Sequence, residues 1–281
     1  MTAERPLALA AALLCAAVAL PRAAAAQSFV PQPQLYLLTT DVFDGRSLWV
    51  QPAGLARRRE SSVSLMATAD RDSNGVSLGQ FGATLAGGGV GIGWQHDRIP
   101  GGAHSDALVV GYAGGTARLS LGFDHRWHRG TSTNDGAWDV GARYTPSTLL
   151  ELSMVWRDVS SPVVVGDTIR ATLVTGASVR LWRGRLRFGA DWEVVQDGWG
   201  TSAVRAGAAV ILPASLVLTL RSEFDSRFSA RSVAVGLTWN GRAARVTGFG
   251  SVVRGAATDR FGLWGSAVTE AVAAPRRRFG H

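Results

Sequence analysis

From Ser61 onward the chain alternates apolar and polar residues with period two rather than at helical spacing. In 117–124 the apolar set is Ala117, Leu119, Leu121 and Phe123, and the interleaved set is Arg118, Ser120, Gly122 and Asp124. In 138–145 Trp138, Val140, Ala142 and Tyr144 alternate with Asp139, Gly141, Arg143 and Thr145. The segments 186–194, 216–225 and 233–240 repeat the pattern. Successive side chains of a strand point to opposite faces, so each segment has one apolar and one polar face.

Turn signals divide residues 61–270 into about 14 such strands, many close to the length that a tilted transmembrane strand needs. The connections also look sorted. Those after odd strands read as longer, for example Arg98–Ser105, His128–Gly136 and Val159–Asp167. Those after even strands read as tight, for example Gly87-Gly88, Gly114-Gly115 and Pro213-Ala214. A soluble sandwich alternates in the same way but has no reason to sort its connections. The expected fold is therefore all-β: a closed antiparallel transmembrane β-barrel with both termini on the short-turn, periplasmic side. Alternation slips near Gly79-Gln80, where a bulge is expected.

Aromatic placement agrees with a membrane span. Trp94, Trp127, Trp138, Trp156, Trp192 and Phe224 belong to the apolar face near the longer connections, and Tyr144 and Trp239 near tight turns. Two such belts mark membrane interfaces.

Before the strands lie two further segments. Residues 1–26 carry Arg5, the apolar run Leu7–Leu20 and Ala24-Ala25-Ala26, the layout of a cleaved secretory signal. Residues 27–60 do not alternate and are expected to form a plug in the barrel mouth or a periplasmic arm. Gly122, Gly141, Gly189, Gly207, Gly236 and Gly262, on the inward face, would leave room for a plug. Residues 271–281 form a basic tail with Arg276, Arg277, Arg278 and Phe279.

Composition narrows the chemistry. The chain has 281 residues and a formal charge of +8, all its basic residues other than histidine are Arg, and charged residues make up only 18%. These arginines recur singly along strands, which argues against a nucleic-acid interface. An ionised side chain facing lipid at mid-depth is costly, so the interleaved charges belong inside. The lumen-lining candidates are Arg118, Arg126, Arg143, Arg157, Arg187, Arg205, Arg221, Asp139, Glu151, Asp191 and Glu193. The one cysteine, Cys15, falls in the leader, so the mature chain has no disulfide and no cysteine metal site. His96, His104, His125 and His128 gather near the longer connections without an activated nucleophile. His125 and His128 fall on opposite faces of one strand. No catalytic residue, metal or cofactor is expected.

The segment Gln51-Pro52-Ala53-Gly54-Leu55-Ala56 resembles the Asn-Pro-Ala-Gly-Leu-Ala motif that precedes the first strand in the FadL/PorV-type outer-membrane superfamily, with Gln51 in place of the Asn. The plug motif is thus Gln51, Pro52, Ala53, Gly54 and Leu55. The resemblance implies a 14-strand barrel. It also implies one of two roles: passive transport of a small hydrophobic or amphipathic, fatty-acid-like solute, or a scaffold, anchor or secretion-shuttle barrel that binds a protein. The chain is shorter than typical transporters of that family, whose long loops build the capture site. Expected partners are outer-membrane lipid, the barrel assembly machinery and a hydrophobic small molecule.

Overall fold

The computed structural model describes residues 30–57, 60–72, 75–99, 102–196, 198–253 and 259–270. The expected signal segment and the basic tail, with Phe279, lie outside the described residues. Strands are numbered in chain order: β1 Glu60–Asp72, β2 Gly75–Gly87, β3 Val90–Arg98, β4 His104–Gly115, β5 Leu119–Gly130, β6 Thr133–Tyr144 and β7 Leu150–Arg157. There follow β8 Val163–Val164, β9 Asp167–Thr168, β10 Thr172–Leu181, β11 Leu186–Val195 and β12 Gly198–Ile211. The last are β13 Leu216–Phe224, β14 Ala230–Asn240, β15 Ala244–Val253 and β16 Asp259–Glu270.

Fourteen of these form a closed antiparallel barrel in which each strand pairs with its neighbours in sequence, and β8 and β9 form a separate two-stranded ribbon. Closure is between β1 and β16, in register from Glu60↔Glu270 to Arg71↔Asp259. A closed sheet leaves no unpaired edge, which is what allows strands to cross a bilayer. Among the described residues no helix is long and apolar enough to cross one.

The alternation sorts as expected. Along β3, Val90, Ile92 and Trp94 are exposed while Gly91, Gly93 and Gln95 are buried. The outward positions Leu65, Leu121 and Leu263 are more than half exposed, an arrangement suited to lipid rather than water. Trp94, Trp127, Trp138, Trp156 and Trp192 also face out, as do Tyr144 and Trp239 toward the other end. The bulge is present: Thr68 faces both Gly79 and Gln80, and its hydroxyl accepts the Gln80 amide at 2.7 Å.

Two sequence-based boundaries change. The connection read as His128–Gly136 is mostly ladder, because only Thr131 and Ser132 separate β5 from β6. The connection read as Val159–Asp167 runs on to Ala171, because β10 starts at Thr172 and Asp167-Thr168 pairs back on Val163-Val164 instead. The longer stretch between β7 and β10 therefore carries its own ribbon. Beyond the lipid belt both faces of a strand meet water, so alternation fades while the hydrogen-bond ladder continues. Sequence pattern alone then mistakes ladder for loop, and the expected sorting of connections by length is weaker than it looked. Tight turns are read correctly where geometry demands glycine: Gly88 and Gly89 take φ of 60° and 87° between β2 and β3, conformations costly for other residues.

Residues 30–57 lie inside the barrel. They form α1 (Gln32–Tyr36), α2 (Ser47–Val50) and a 3-10 turn, Pro52–Arg57. Tyr36, Leu37, Val42, Leu48, Trp49, Val50 and Leu55 pack with wall residues such as Met66, Val109, Phe249 and Trp264 into one buried cluster. The N-terminal segment thus supplies about half of this apolar cluster, and the barrel wall the rest.

Candidate functional site

The site is the barrel interior and its contacts with residues 30–57. That segment has little regular structure, so many of its carbonyls have no ladder partner. A buried backbone group without a hydrogen bond is expensive. Wall arginines supply the missing donors. Arg143 on β6 donates to the carbonyls of Val42 and Thr40, the latter at 2.9 Å. Arg157 on β7 donates to the Val50 carbonyl at 2.9 Å and to Gln34 Oε1 at 3.1 Å. Arg187 on β11 reaches the Thr40 carbonyl at 2.6 Å, and Arg221 on β13 the Leu37 carbonyl at 3.2 Å. A guanidinium offers five donors in a fixed fork and stays charged, which suits this bridging better than an ammonium does.

The same arginines are balanced by acids. Glu151 on β7 accepts from Arg143, from Arg180 at 2.5 Å and from Arg187 at 3.1 Å. Arg126 pairs with Asp139 at 3.2 Å and lies 3.7 Å from Asp158. Arg205 pairs with Glu193 at 2.6 Å and lies 4.0 Å from Asp191. Phe43 lies beneath the Arg143 guanidinium, 3.9 Å from its ring centroid. Asp41 of the segment pairs with Arg187 at 3.1 Å. Burial pushes the Asp41 carboxyl above its ordinary range, against the opposing pull of Arg187.

Of the lumen-lining candidates, Arg126, Arg143, Arg157, Arg205, Arg221, Asp139, Glu151 and Asp191 are buried inside the barrel. Arg187 and Glu193 are partly buried there. Arg118 is a correction: it lies exposed in the turn between β4 and β5, because β5 begins only at Leu119. Its apparent alternation with Ala117 and Leu119 came from turn residues. His125 faces out among Trp127 and Trp138, whereas His128 is buried on the inner face.

The motif residues sit against β5 and β6. Gln51 is fully buried, and its amide nitrogen donates to the carbonyls of Met154 at 2.9 Å and Ala142 at 3.1 Å. The longer glutamine side chain thus fastens the turn to two wall strands. Gly122 and Gly141 are cross-strand partners, and both leave space for this turn. A Cβ on Gly122 would come within 2.6 Å of the Ala53 nitrogen, and one on Gly141 would collide with Gln51 Oε1. The inward glycines Gly189 and Gly236 make similar room for Leu38 and Tyr36.

Sequence reading missed Thr39, Asp41 and Phe43, which contact Asp191, Arg187 and Arg143. The available signal was the pair of acids, Asp41 and Asp44, in an otherwise apolar stretch facing a wall rich in Arg. A cavity of about 610 Å³ remains between the segment and the wall of β11–β15. It lies at the barrel end holding the start of β1 and combines Leu37, Phe43 and Val217 with Arg187, Glu60 and Arg245.

No protein-family model and no curated protein sequence matches the chain. Solved structures do resemble it. One is titled the CymD monoaromatic hydrocarbon channel, with a TM-score of 0.57 and 11% identity over 85% of this chain and 96% of that one. The Pseudomonas putida toluene transporter TodX gives 0.55 and 11% identity over 88% and 98%. The Ralstonia pickettii toluene transporter TbuX gives 0.54 and 12% identity over 86% and 97%. Likeness at such identity speaks for architecture, and it extends over most of both chains. By fold, this chain is a closed 14-strand antiparallel β-barrel, the architecture it shares with these structures.

Proposed function

We propose that the protein lets a small hydrophobic or amphipathic solute pass the outer membrane without energy input, with residues 30–57 as a plug and both barrel termini toward the periplasm. The observation that carries this reading is the cavity beside Phe43. Leu37, Phe43 and Val217 offer an apolar wall, and Arg187 and Arg245, which pair with Asp41 and Glu60 here, would exchange those partners for the carboxylate of a fatty-acid-like solute. The structural neighbours named for toluene and monoaromatic hydrocarbons share the architecture and support an apolar cargo. Passage past β5–β7 requires the plug to shift, because Arg143, Glu151 and Gln51 fill the interior there.

That filling favours a second reading, a non-transporting scaffold or secretion-shuttle barrel whose plug or loops bind a protein. Proteoliposomes separate the two. The transport reading expects uptake of a labelled long-chain fatty acid above protein-free vesicles, reduced in Arg187→Gln and Arg245→Gln. Uptake equal to that of protein-free vesicles overturns it and leaves the scaffold.

A further inference from the structure

The outward face of β3–β5 carries a group of charges that the lumen does not explain. At the end of the barrel away from the start of β1, Arg98, His104 and Arg129 are exposed on this face. Arg98 and His104 are direct cross-strand partners, as are Asp106 and Arg129. These pairs place the three cationic or protonatable groups side by side across three strands.

The acid in their midst is already engaged. Asp106 lies 3.0 Å from His96 Nδ1 and accepts from Trp94 Nε1 at 3.2 Å. Among the described residues, neither Arg98 nor Arg129 pairs with a carboxylate. Just toward mid-bilayer come the outward rings of Trp94 and Trp127, which fix this height as the membrane interface. Further down, on the adjoining outer face of β4–β6, Tyr112, Leu121, Phe123, Trp138 and Val140 line an apolar groove of about 520 Å³. Unpaired cations at headgroup level above an apolar groove match one ligand: a lipid with acyl chains below and phosphate above.

We infer that the outer face of β3–β5 binds the phosphorylated headgroup of an outer-leaflet glycolipid, through Arg98, Arg129 and His104, with an acyl chain in the groove beneath. The inference rests on the proposed orientation for the leaflet, and is independent of what passes through the lumen.

The full chain, folded in detergent, is mixed with bisphosphorylated lipid A or with its dephosphorylated form, and retained lipid is counted by native mass spectrometry. Wild type is expected to retain the phosphorylated lipid in preference. The double variant Arg98→Gln/Arg129→Gln should weaken that retention about tenfold or more, to the level of the dephosphorylated lipid. The double variant Arg183→Gln/Arg242→Gln, which alters exposed turns at the opposite end, should bind as wild type does. Heat-dependent gel mobility confirms that each variant is folded. Equal retention of both lipids, or an equal loss in the opposite-end variant, overturns the site. Displacement of lipid A by equimolar inorganic phosphate also overturns it, since that marks a site for free anions.

Discussion

Asp191 on the barrel wall holds Thr39 of the N-terminal segment by two hydrogen bonds, from its amide at 3.0 Å and its hydroxyl at 2.7 Å. Both groups are buried, and the Thr39 hydroxyl also lies 2.6 Å from Ser153. A carboxylate that accepts a backbone amide in a water-poor interior anchors the segment more firmly than a surface contact would.

Removing that acceptor should loosen the segment and leave the barrel closed. Asp191→Ala leaves the Thr39 amide without its partner, at an expected cost of about 2–4 kcal/mol. Hydrogen exchange should quicken at Thr39–Asp41 while the amides of β1 and β16 keep their protection. Unchanged exchange at Thr39 would show that the contact does not hold the segment.

The motif turn depends on missing side chains. Gly122→Ala forces a methyl against Ala53 and Pro52 and should destabilise by about 1–3 kcal/mol through overpacking. Gly248→Ala, with nothing within 4 Å of its added methyl, is the control and should be close to neutral. Denaturant midpoints of the two variants in one detergent give the comparison. Equal midpoints would mean that the turn yields without strain.

The lipid-facing band predicts a depth-dependent penalty. Leu121→Arg, on the outward face two residues inside the start of β5, should cost about 1–2 kcal/mol in vesicles. Phe228→Arg, on the exposed connection between β13 and β14, should cost little. Reversible unfolding in phospholipid vesicles measures both. A neutral Leu121→Arg would contradict the membrane-facing assignment of that surface.

Asp158, just past the end of β7, predicts a pH effect of defined sign. Burial first, and then the neighbouring Asp139 carboxylate, push its pKa up to about 6, against the pull of Arg126. The folded state therefore binds a proton that the unfolded chain, with an ordinary Asp pKa of about 4, releases. Stability linked to Asp158 should rise as pH falls from about 6 to about 4 and then level off. The wild type minus Asp158→Asn difference in denaturant midpoint, followed across that range, should show this slope. A flat difference would remove Asp158 as its source.

Much of this architecture is legible in the chain itself. Period-two alternation from Ser61 to Glu270 is a local property of extended backbone facing two media. It gave the strand count, the inward arginines, the bulge at Gly79-Gln80 and the outward tryptophans. It misplaced Arg118 and the β5–β6 connection where that local contrast ends, in turns and beyond the lipid belt. The inward glycines were recognised as space, but nothing local named Leu38, Tyr36 and the Pro52–Ala53 backbone as what fills it.

What the sequence by itself determined is therefore which face of each strand meets lipid, because neighbouring residues carry that information. Only the tertiary structure decided the partners inside: Thr39 with Asp191, Gln51 with the Met154 carbonyl, Phe43 under Arg143. These contacts join residues roughly a hundred or more positions apart, and closing the sheet is what brings them within a few ångströms.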